Sequence, residues 1–361
     1  MTRSLQAILL ALLATLALAV GACGGDGGGG GDEASADTDV DTLLSDTFKG
    51  NKDVKSGKLA LKLDVDAKGA EVEGPISVSL GGPFQSKGDK QLPTFDIDFA
   101  FEGGGQSIKA GLTSTGEKGF VNFQGTEYVV SDQVFNQFKA GYEQAQKQGK
   151  EQNQSLSSLG LDPRAWLTNP KNEGEAKVGD DDTIKITGGV DVNKLLDDVN
   201  QALKKTRELG VQGTNQLPSQ LTAEQKKQVT DAVKDPKVEI YTGKEDKILR
   251  RMVISLGIVA PEGSGSSGSA NIKFDLAISD LNEDQEVSEP SGAKPFDQLL
   301  SQLGGLGLGG LGAGGASGGS GSSGGGSSGS NADLEKYSKC VADAGNDVTK
   351  ARKCAELLTS P

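Results

Sequence analysis

The sequence contains no histidine, and this absence weakens most hypotheses that would make the chain an enzyme. Histidine is the usual general base near neutral pH, the usual partner of a serine or cysteine nucleophile, and the commonest metal ligand. An excess of basic residues is also lacking, because 37 lysines and arginines stand against 50 acidic residues and give a formal net charge of −13. We therefore predict no enzymatic activity, no cofactor, no metal site and no nucleic-acid partner, since nucleic acids are bound by basic surfaces.

Aromatic residues make up 4% of the sequence and apolar residues 35%, while glycine occurs 53 times. A chain with so few apolar residues and so much glycine does not bury its whole length in one core. The composition therefore predicts one folded domain together with unstructured segments.

The N-terminus has the features of an export signal. Arg3 precedes an apolar run at residues 5–20, and a glycine and an alanine follow that run ahead of Cys23. The run is short for a membrane span, and no basic residues follow it. The sequence VGAC at 20–23 resembles the bacterial lipobox, whose cysteine receives a diacylglyceryl group and becomes the mature N-terminus. This predicts a lipoprotein signal peptide at 1–22 and an anchor at Cys23 on the extracytoplasmic face of the cell membrane. The alternative is an ordinary secretory signal that contains a cysteine.

The chain has three cysteines, Cys23, Cys340 and Cys354. Lipidation of the first leaves an even pair in an exported protein, where a disulfide can persist. Apolar residues at helical spacing on both sides of a Gly-Asn-Asp turn predict that residues 331–361 form a helical hairpin linked by this disulfide. The alternatives are a metal site, for which two cysteines without histidine are a poor ligand set, and a redox pair, although the spacing is not C-x-x-C.

Composition also separates the other parts of the chain. Residues 23–39 are rich in glycine and acidic residues, and we predict that they form a tether between the anchor and the folded domain. More than half of residues 304–330 are glycine, which predicts a flexible linker. Residues 40–303 remain as the main domain, and the C-terminal hairpin is a separate unit that could contact a partner in the cell envelope.

Several segments of the main domain place apolar residues at every second position, which is typical of strands that bury one face. The three clearest sets are Leu59, Leu61 and Leu63; Phe95, Ile97, Phe99 and Phe101; and Ile272, Phe274, Leu276 and Ile278. Weaker strands are predicted at 76–80, 108–112, 120–123, 127–131, 183–187 and 238–242. The run at 249–259 is predicted to form a hairpin with 270–280 through a loop at 261–265. Breaks between strands are predicted at Gly74-Pro75, Gly81-Gly82-Pro83 and Gly103-Gly104-Gly105.

Helical spacing of apolar residues predicts helices at 134–145 and 192–203, and a last one at 296–303. Thr222 and Gln225 form a capping box that opens a further short helix. Together these elements predict an α+β fold. Its main part is a curved antiparallel β half-barrel with helices packed on the concave side, and the small C-terminal hairpin is additional.

The order of the elements resembles that of a known family. A lipobox, a helix near 40–48, a run of strands, and the segments GFVNFQGTEYV at 119–129, LDPRAWL at 161–167 and ITGGVDV at 186–192 resemble actinobacterial lipoproteins of the LppX and LprG type. The fold of these proteins is similar to that of the lipoprotein carrier LolA. The resemblance covers about residues 41–303. It implies an unclosed half-barrel whose concave face, covered by helices, holds the acyl chains of a lipid or lipoprotein.

The three clearest apolar sets are the predicted ligand-binding residues. A curved sheet cannot pack all three against each other, so helices or a ligand must cover them. The alternative is that these side chains are ordinary core, because a sequence does not separate a filled core from a cavity. The predicted function is therefore a membrane-anchored lipoprotein that binds or transfers a lipid or another apolar ligand. The alternative is a structural or interaction module of the cell envelope without such a ligand.

Two charged segments are weaker candidates for polar ligands. Asp180-Asp181-Asp182 could meet a cation, although the run lacks the pattern of a calcium loop and is typical of a solvated turn. Arg250-Arg251 could face anionic headgroups, or could be an ordinary charged strand end.

Overall fold

The computed structural model describes residues 33–48, 54–69, 74–88, 91–151, 162–208, 220–259 and 268–305. The predicted lipidation site Cys23, the pair Cys340 and Cys354, and the hairpin 331–361 all lie outside these residues. The anchor and the disulfide therefore stay predictions from the sequence.

Twelve strands in the described residues form one sheet. They are β1 (Ser56–Lys68), β2 (Gly74–Gln85), β3 (Thr94–Gly103), β4 (Gln106–Ser114), β5 (Gly119–Phe123), β6 (Thr126–Val129), β7 (Leu167–Val178), β8 (Asp181–Val190), β9 (Val233–Gly243), β10 (Leu249–Val259), β11 (Ser269–Ser279) and β12 (Lys294–Pro295). Their order across the sheet is β12-β6-β5-β4-β3-β2-β1-β11-β10-β9-β8-β7. The sheet is open, with β12 and β7 at its edges, and this agrees with the predicted half-barrel rather than a closed barrel.

The described residues also form six helices. They are α1 (Val40–Phe48), α2 (Asp132–Glu151), α3 (Pro163–Trp166), α4 (Val192–Glu208), α5 (Ala223–Ala232) and α6 (Phe296–Gly305). The capping box is confirmed at the start of α5, where the Thr222 side chain accepts from the Gln225 backbone N–H and the Gln225 side chain accepts from that of Thr222.

Strand β1 lies in the middle of the sheet and fixes the register of both halves. Its Leu61 pairs with Leu80 of β2 on one side and with Leu276 of β11 on the other. Residues directly opposite each other in a sheet point to the same face. The apolar alternations of these strands therefore continue one another across the sheet instead of alternating between its two faces.

The predicted break at Gly81-Gly82-Pro83 is wrong, because all three residues lie inside β2. Gly82 has φ = +145°, and a Cβ there would lie 1.9 Å from the backbone oxygen of Asp96 in β3. Glycine is needed at this point because it adopts a backbone conformation that other residues rarely reach and lets the neighbouring strand approach closely. The glycines thus permit a local distortion within a continuous strand.

Helices cover one half of the apolar face. The main buried cluster joins Leu43 and Leu44 of α1 and Trp166 of α3 to apolar residues of β1, β8, β9, β10 and β11, with Leu195 of α4 and Ala232 of α5 in the same cluster. The Trp166 Nε1–H donates to Asp198 Oδ2 of α4 at 2.8 Å, so this ring joins two helices by a hydrogen bond as well as by packing. The helices therefore cover strands β1, β11, β10, β9 and β8, which are neighbours in the sheet.

The chain enters this covered half through residues that the sequence assigned to the tether. Ala34 is buried, and its N–H donates to the Lys244 backbone oxygen at 2.8 Å. Asp39 accepts from the Thr42 N–H at 2.9 Å and so caps α1. Residues 34–39 consequently pack with the domain instead of only leading to it.

The segment between β11 and β12 runs past the ends of several strands to reach the opposite edge. Asn282 donates its N–H to the Ser56 oxygen at 3.0 Å, and Gln285 donates its N–H to Gln85 Oε1 at 3.0 Å. Further along, Glu289 pairs with Lys118 Nζ at 2.9 Å, and Lys294-Pro295 then pairs parallel with β6. One connection thus links the middle of the sheet to its far edge.

Charged residues occupy the face of the sheet opposite the apolar one. Arg251 of β10 donates two hydrogen bonds to the Asp275 carboxylate of β11, at 2.8 and 2.6 Å. On the neighbouring strands β8 and β9, Lys185 pairs with Glu239 at 3.1 Å. The Arg251 guanidinium lowers the pKa of Asp275, chiefly through its hydrogen bonds.

We expect the substitution Gly82→Ala to lower the free energy of unfolding by about 2 kcal/mol or more, because both the backbone angle and the Asp96 oxygen oppose a Cβ. Gly257→Ala in β10 is the matched control, since its Cβ would meet its nearest atom at 3.6 Å. Denaturant unfolding followed by circular dichroism measures both. Equal effects of the two substitutions would show that Gly82 carries no special constraint.

We expect Asp275→Asn to lower the free energy of unfolding at pH 7 by about 1 kcal/mol, because a charged two-point hydrogen bond is lost. The folded-state pKa of Asp275 is lowered, so its contribution is present above the ordinary value of 3.8 and is lost as the pH falls through the lower folded value. The gap between wild type and variant should therefore shrink below about pH 4. A gap that is unchanged at pH 2 contradicts this account.

Candidate functional site

The apolar face continues beyond the helices onto strands β2 to β5. The pairs Leu80–Phe99, Phe84–Phe95, Ile97–Leu112, Phe101–Ile108 and Leu112–Val121 show that these strands share it. We call the following ten residues the open apolar face: Leu80, Phe84, Phe95, Ile97, Phe99, Phe101, Ile108, Leu112, Val121 and Phe123.

The open apolar face differs from the covered half in burial. Leu61 and Leu63 of β1 and Phe274 of β11 are 5–8% exposed and belong to the main buried cluster. Every member of the open apolar face is only partly buried or exposed, and none belongs to that cluster. The same alternation therefore produces core on one side of β1 and accessible surface on the other.

Large exposed apolar side chains are concentrated here. Five are exposed in the described residues, and two of them, Ile108 at 38% and Leu112 at 55%, lie on the open apolar face. Two others, Val134 at 45% and Phe138 at 53%, lie on α2. Contiguous apolar surface on a soluble domain marks a binding site more often than chance exposure does.

Helix α2 begins at this same face. The ring of Phe135 lies on the backbone of Gly119, where a Cβ would come within 2.9 Å of the ring carbon Cδ2. Gly119 precedes Val121 on the same side of β5, so the first turn of α2 is seated at the end of the open apolar face. Val134 and Phe138 flank that contact along the helix and are exposed.

On β3 and β4, charged side chains are separated from this face. The residues that alternate with the open apolar face on β3 and β4 include Asp96, Asp98 and Lys109, and these point to the opposite side. There Asp96 accepts a hydrogen bond from the Thr113 hydroxyl at 2.8 Å. The site therefore offers apolar contact and no ion pair.

The structure divides the predicted ligand-binding residues into two groups. Phe95, Ile97, Phe99 and Phe101 lie on the open apolar face. Leu59, Leu61 and Leu63 are buried, and Phe274 is buried with Ile272 and Leu276 packed against the same cluster. Ile278 pairs with Leu59 at the end of these strands and is partly buried. Of the three predicted sets, the β3 set alone has no member that is buried or packed against the main buried cluster.

Sequence reasoning assigned no ligand role to the rest of the open apolar face, on β2, β4 and β5. The signal was present in part, because Ile108, Ala110 and Leu112 alternate as a strand should. What the sequence did not reveal is that Ile108 and Leu112 of β4 stay exposed, because this depends on long-range packing.

The charged candidates are paired with other side chains. Arg250 is bonded to Asp246 at 2.8 Å and approaches Asp181 at 3.2 Å. Burial disfavours its charge, but these two carboxylates outweigh burial and raise its pKa. Asp182 pairs with Lys177 at 2.9 Å, and Arg251 with Asp275. These ion pairs fit charged strand ends and turns.

Other features of the described residues do not add a site. A cleft of about 420 Å³ lies beside the turn at residues 103–106, with Ser77 and Glu102 from the polar side of the sheet in its lining. No cluster of three or more potential metal ligands occurs among the described residues. None of the described helices is both long enough and apolar enough to span a membrane.

Solved structures similar to this chain include mycobacterial lipoproteins. LprF from Mycobacterium bovis is 11% identical, with a TM-score of 0.31, over 70% of this chain and 96% of its own. LppX from Mycobacterium tuberculosis is 14% identical, with a TM-score of 0.29, over 69% of this chain and 100% of its own. A LolA superfamily protein from Nitrosomonas europaea is 8% identical, with a TM-score of 0.16, over 68% and 95%.

These matches include LppX and a LolA superfamily protein, the two kinds of protein that the sequence resembles. All three TM-scores are below 0.5, so the function proposed below depends on the contacts of this chain. No family model and no curated protein matches it.

We expect Leu112→Thr to change the free energy of unfolding by less than about 1 kcal/mol, because the side chain is half exposed. Leu63→Thr should cost at least about 2 kcal/mol, because it removes buried apolar surface and buries a hydroxyl. Threonine retains strand propensity at both positions. Equal losses in denaturant unfolding would show that Leu112 is core, and the open apolar face would then not exist.

Proposed function

We propose that this protein binds a lipid, or another ligand with long apolar chains, on the open apolar face. The observation that carries the proposal is the difference between the two halves of one apolar face. Helices cover strands β1, β11, β10, β9 and β8, whereas the side chains of the open apolar face are partly buried or exposed and lie outside the main buried cluster. Apolar chains laid on this face would bury that surface, at about 25 cal/mol per Å².

The dimensions of the face suit extended chains. Phe95 and Phe101 are six residues apart on β3, which corresponds to about 20 Å at the rise of an antiparallel strand. Four strands spaced about 4.8 Å apart give a comparable width. A surface of this size is broader than one hydrocarbon chain and accommodates chains side by side.

The predicted location of the protein is consistent with this binding. We propose that the protein is anchored through lipidated Cys23 on the extracytoplasmic face of the cell membrane, where apolar ligands are available. The absence of histidine and of any metal-ligand cluster in the described residues leads us to propose a carrier or binding protein rather than an enzyme. Whether the C-terminal hairpin contacts an envelope component is a separate prediction.

The test uses native mass spectrometry of the full chain carrying Cys23→Ser, so that an acyl anchor is not mistaken for a ligand. We expect a co-purified acyl lipid on this protein. Leu112→Asp should remove it or weaken binding at least about tenfold, because a carboxylate would then stand where apolar chains pack.

Ala100→Asp is the matched control, because it adds the same charge on the opposite face of β3, where Ala100 pairs with Lys109. We expect it to retain the ligand. A ligand-free mass for the unsubstituted protein, or equal loss from both variants, would contradict the proposal.

A further inference from the structure

The open apolar face lacks any group that could receive an ionised headgroup. Its alternating positions on β2 to β5 carry aliphatic or aromatic side chains, glycine, alanine, or polar uncharged residues at the strand ends. No lysine, arginine, aspartate or glutamate occupies that side of these four described strands. A charge placed there would have no partner of opposite sign.

The polar groups at one end of the face are already engaged. Ser114 pairs with Phe95 and is almost fully buried. Its hydroxyl donates to the Pro93 oxygen at 3.0 Å and accepts from the Gly116 N–H at 3.2 Å. A hydroxyl with both functions satisfied has little capacity to solvate an incoming anion.

The neighbouring lysines lie outside the open apolar face. Lys294 pairs with Tyr128 on the same side of the sheet, but it is exposed on the edge strand β12, two strands beyond β5. Lys118 lies at the start of β5 and pairs with Glu289 at 2.9 Å, and this carboxylate raises the pKa of the lysine. Lys109 projects from the opposite side of β4. The chain as a whole carries a net charge of −13, which further disfavours anions.

An ionised ligand must therefore keep its headgroup in water. The methylene groups next to the headgroup then do not contact the open apolar face. An ester or other uncharged lipid has no such restriction, because its weakly polar group is far less costly to desolvate than a carboxylate. Resting on the proposed function, we infer that the open apolar face selects electrically neutral lipids over ionised ones of the same chain length.

The experiment compares oleate with methyl oleate as competitors for bound Nile red, using the full chain with Cys23→Ser at pH 8. The two competitors share one hydrocarbon chain and differ in charge. We expect methyl oleate to displace the dye at a concentration at least about tenfold lower than oleate. Equal displacement by both would overturn the inference while leaving the proposed function standing.

A second variant separates charge from chain packing. Leu112→Lys places a cation on the open apolar face and should cut the preference for methyl oleate severalfold, by improving oleate binding. Ala100→Lys adds the same charge on the opposite face and should leave the preference unchanged. If Leu112→Lys leaves the preference unchanged, electrostatics is not its cause and the inference fails. Failure of both competitors to displace the dye would instead count against the proposed function.

Discussion

The register of β1 against its two neighbours is the constraint on which the rest of the structure depends. Leu59, Leu61, Leu63 and Val65 each stand opposite apolar or glycine positions on both sides, so β1 carries one apolar face from β2 to β11. A slip of one residue would turn every side chain of β1 to the charged side. The strength of this alternation makes such a slip costly, and it aligns all the antiparallel strands on one face.

Whether helices cover a given part of this apolar face determines whether that part is buried core or accessible surface. The α1, α3, α4 and α5 helices pack on β1 and on the later strands β8 to β11, where Ile184, Ile186 and Ile240 are completely buried. Ile76 and Val78 of β2 still pack against the main buried cluster, whereas the open apolar face is approached by the first turn of α2, through Phe135 on Gly119. The proposed binding of an apolar ligand would thus depend on incomplete cover by helices, and it would require no specialised catalytic or charged residue.

Much of the fold could be predicted from local patterns. The helix at 40–48, the capping box at Thr222 and the alternation of Phe95 to Phe101 are strong short-range signals, and the structure contains each of them. Strand β7 was missed because LTNPKNEGEAKV has no apolar alternation, as befits an exposed edge. The glycines of β2 suggested a break because their role depends on a neighbouring strand that a local pattern does not include.

The candidate site could be predicted only in part for a similar reason. The sequence treats Leu61 and Phe99 alike, since both belong to clear alternations. Their difference arises from where helices far away in sequence pack. Helix α2 shows the same limit, because helical spacing predicts a buried face, and of its apolar residues up to Tyr142 only Phe135 is buried.

The strands of the open apolar face are consecutive in the chain, from β2 to β5, and each pairs with the next. This half is held mainly by contacts between neighbours in sequence, whereas the helix-covered half joins distant segments. Segments with little buried apolar contact open locally more readily than well-packed ones. A bound ligand would supply the layer that helices supply elsewhere, and would stabilise the folded state in proportion to its occupancy. Cargo and fold are then energetically linked, and whatever removes the cargo also loosens the strands that held it.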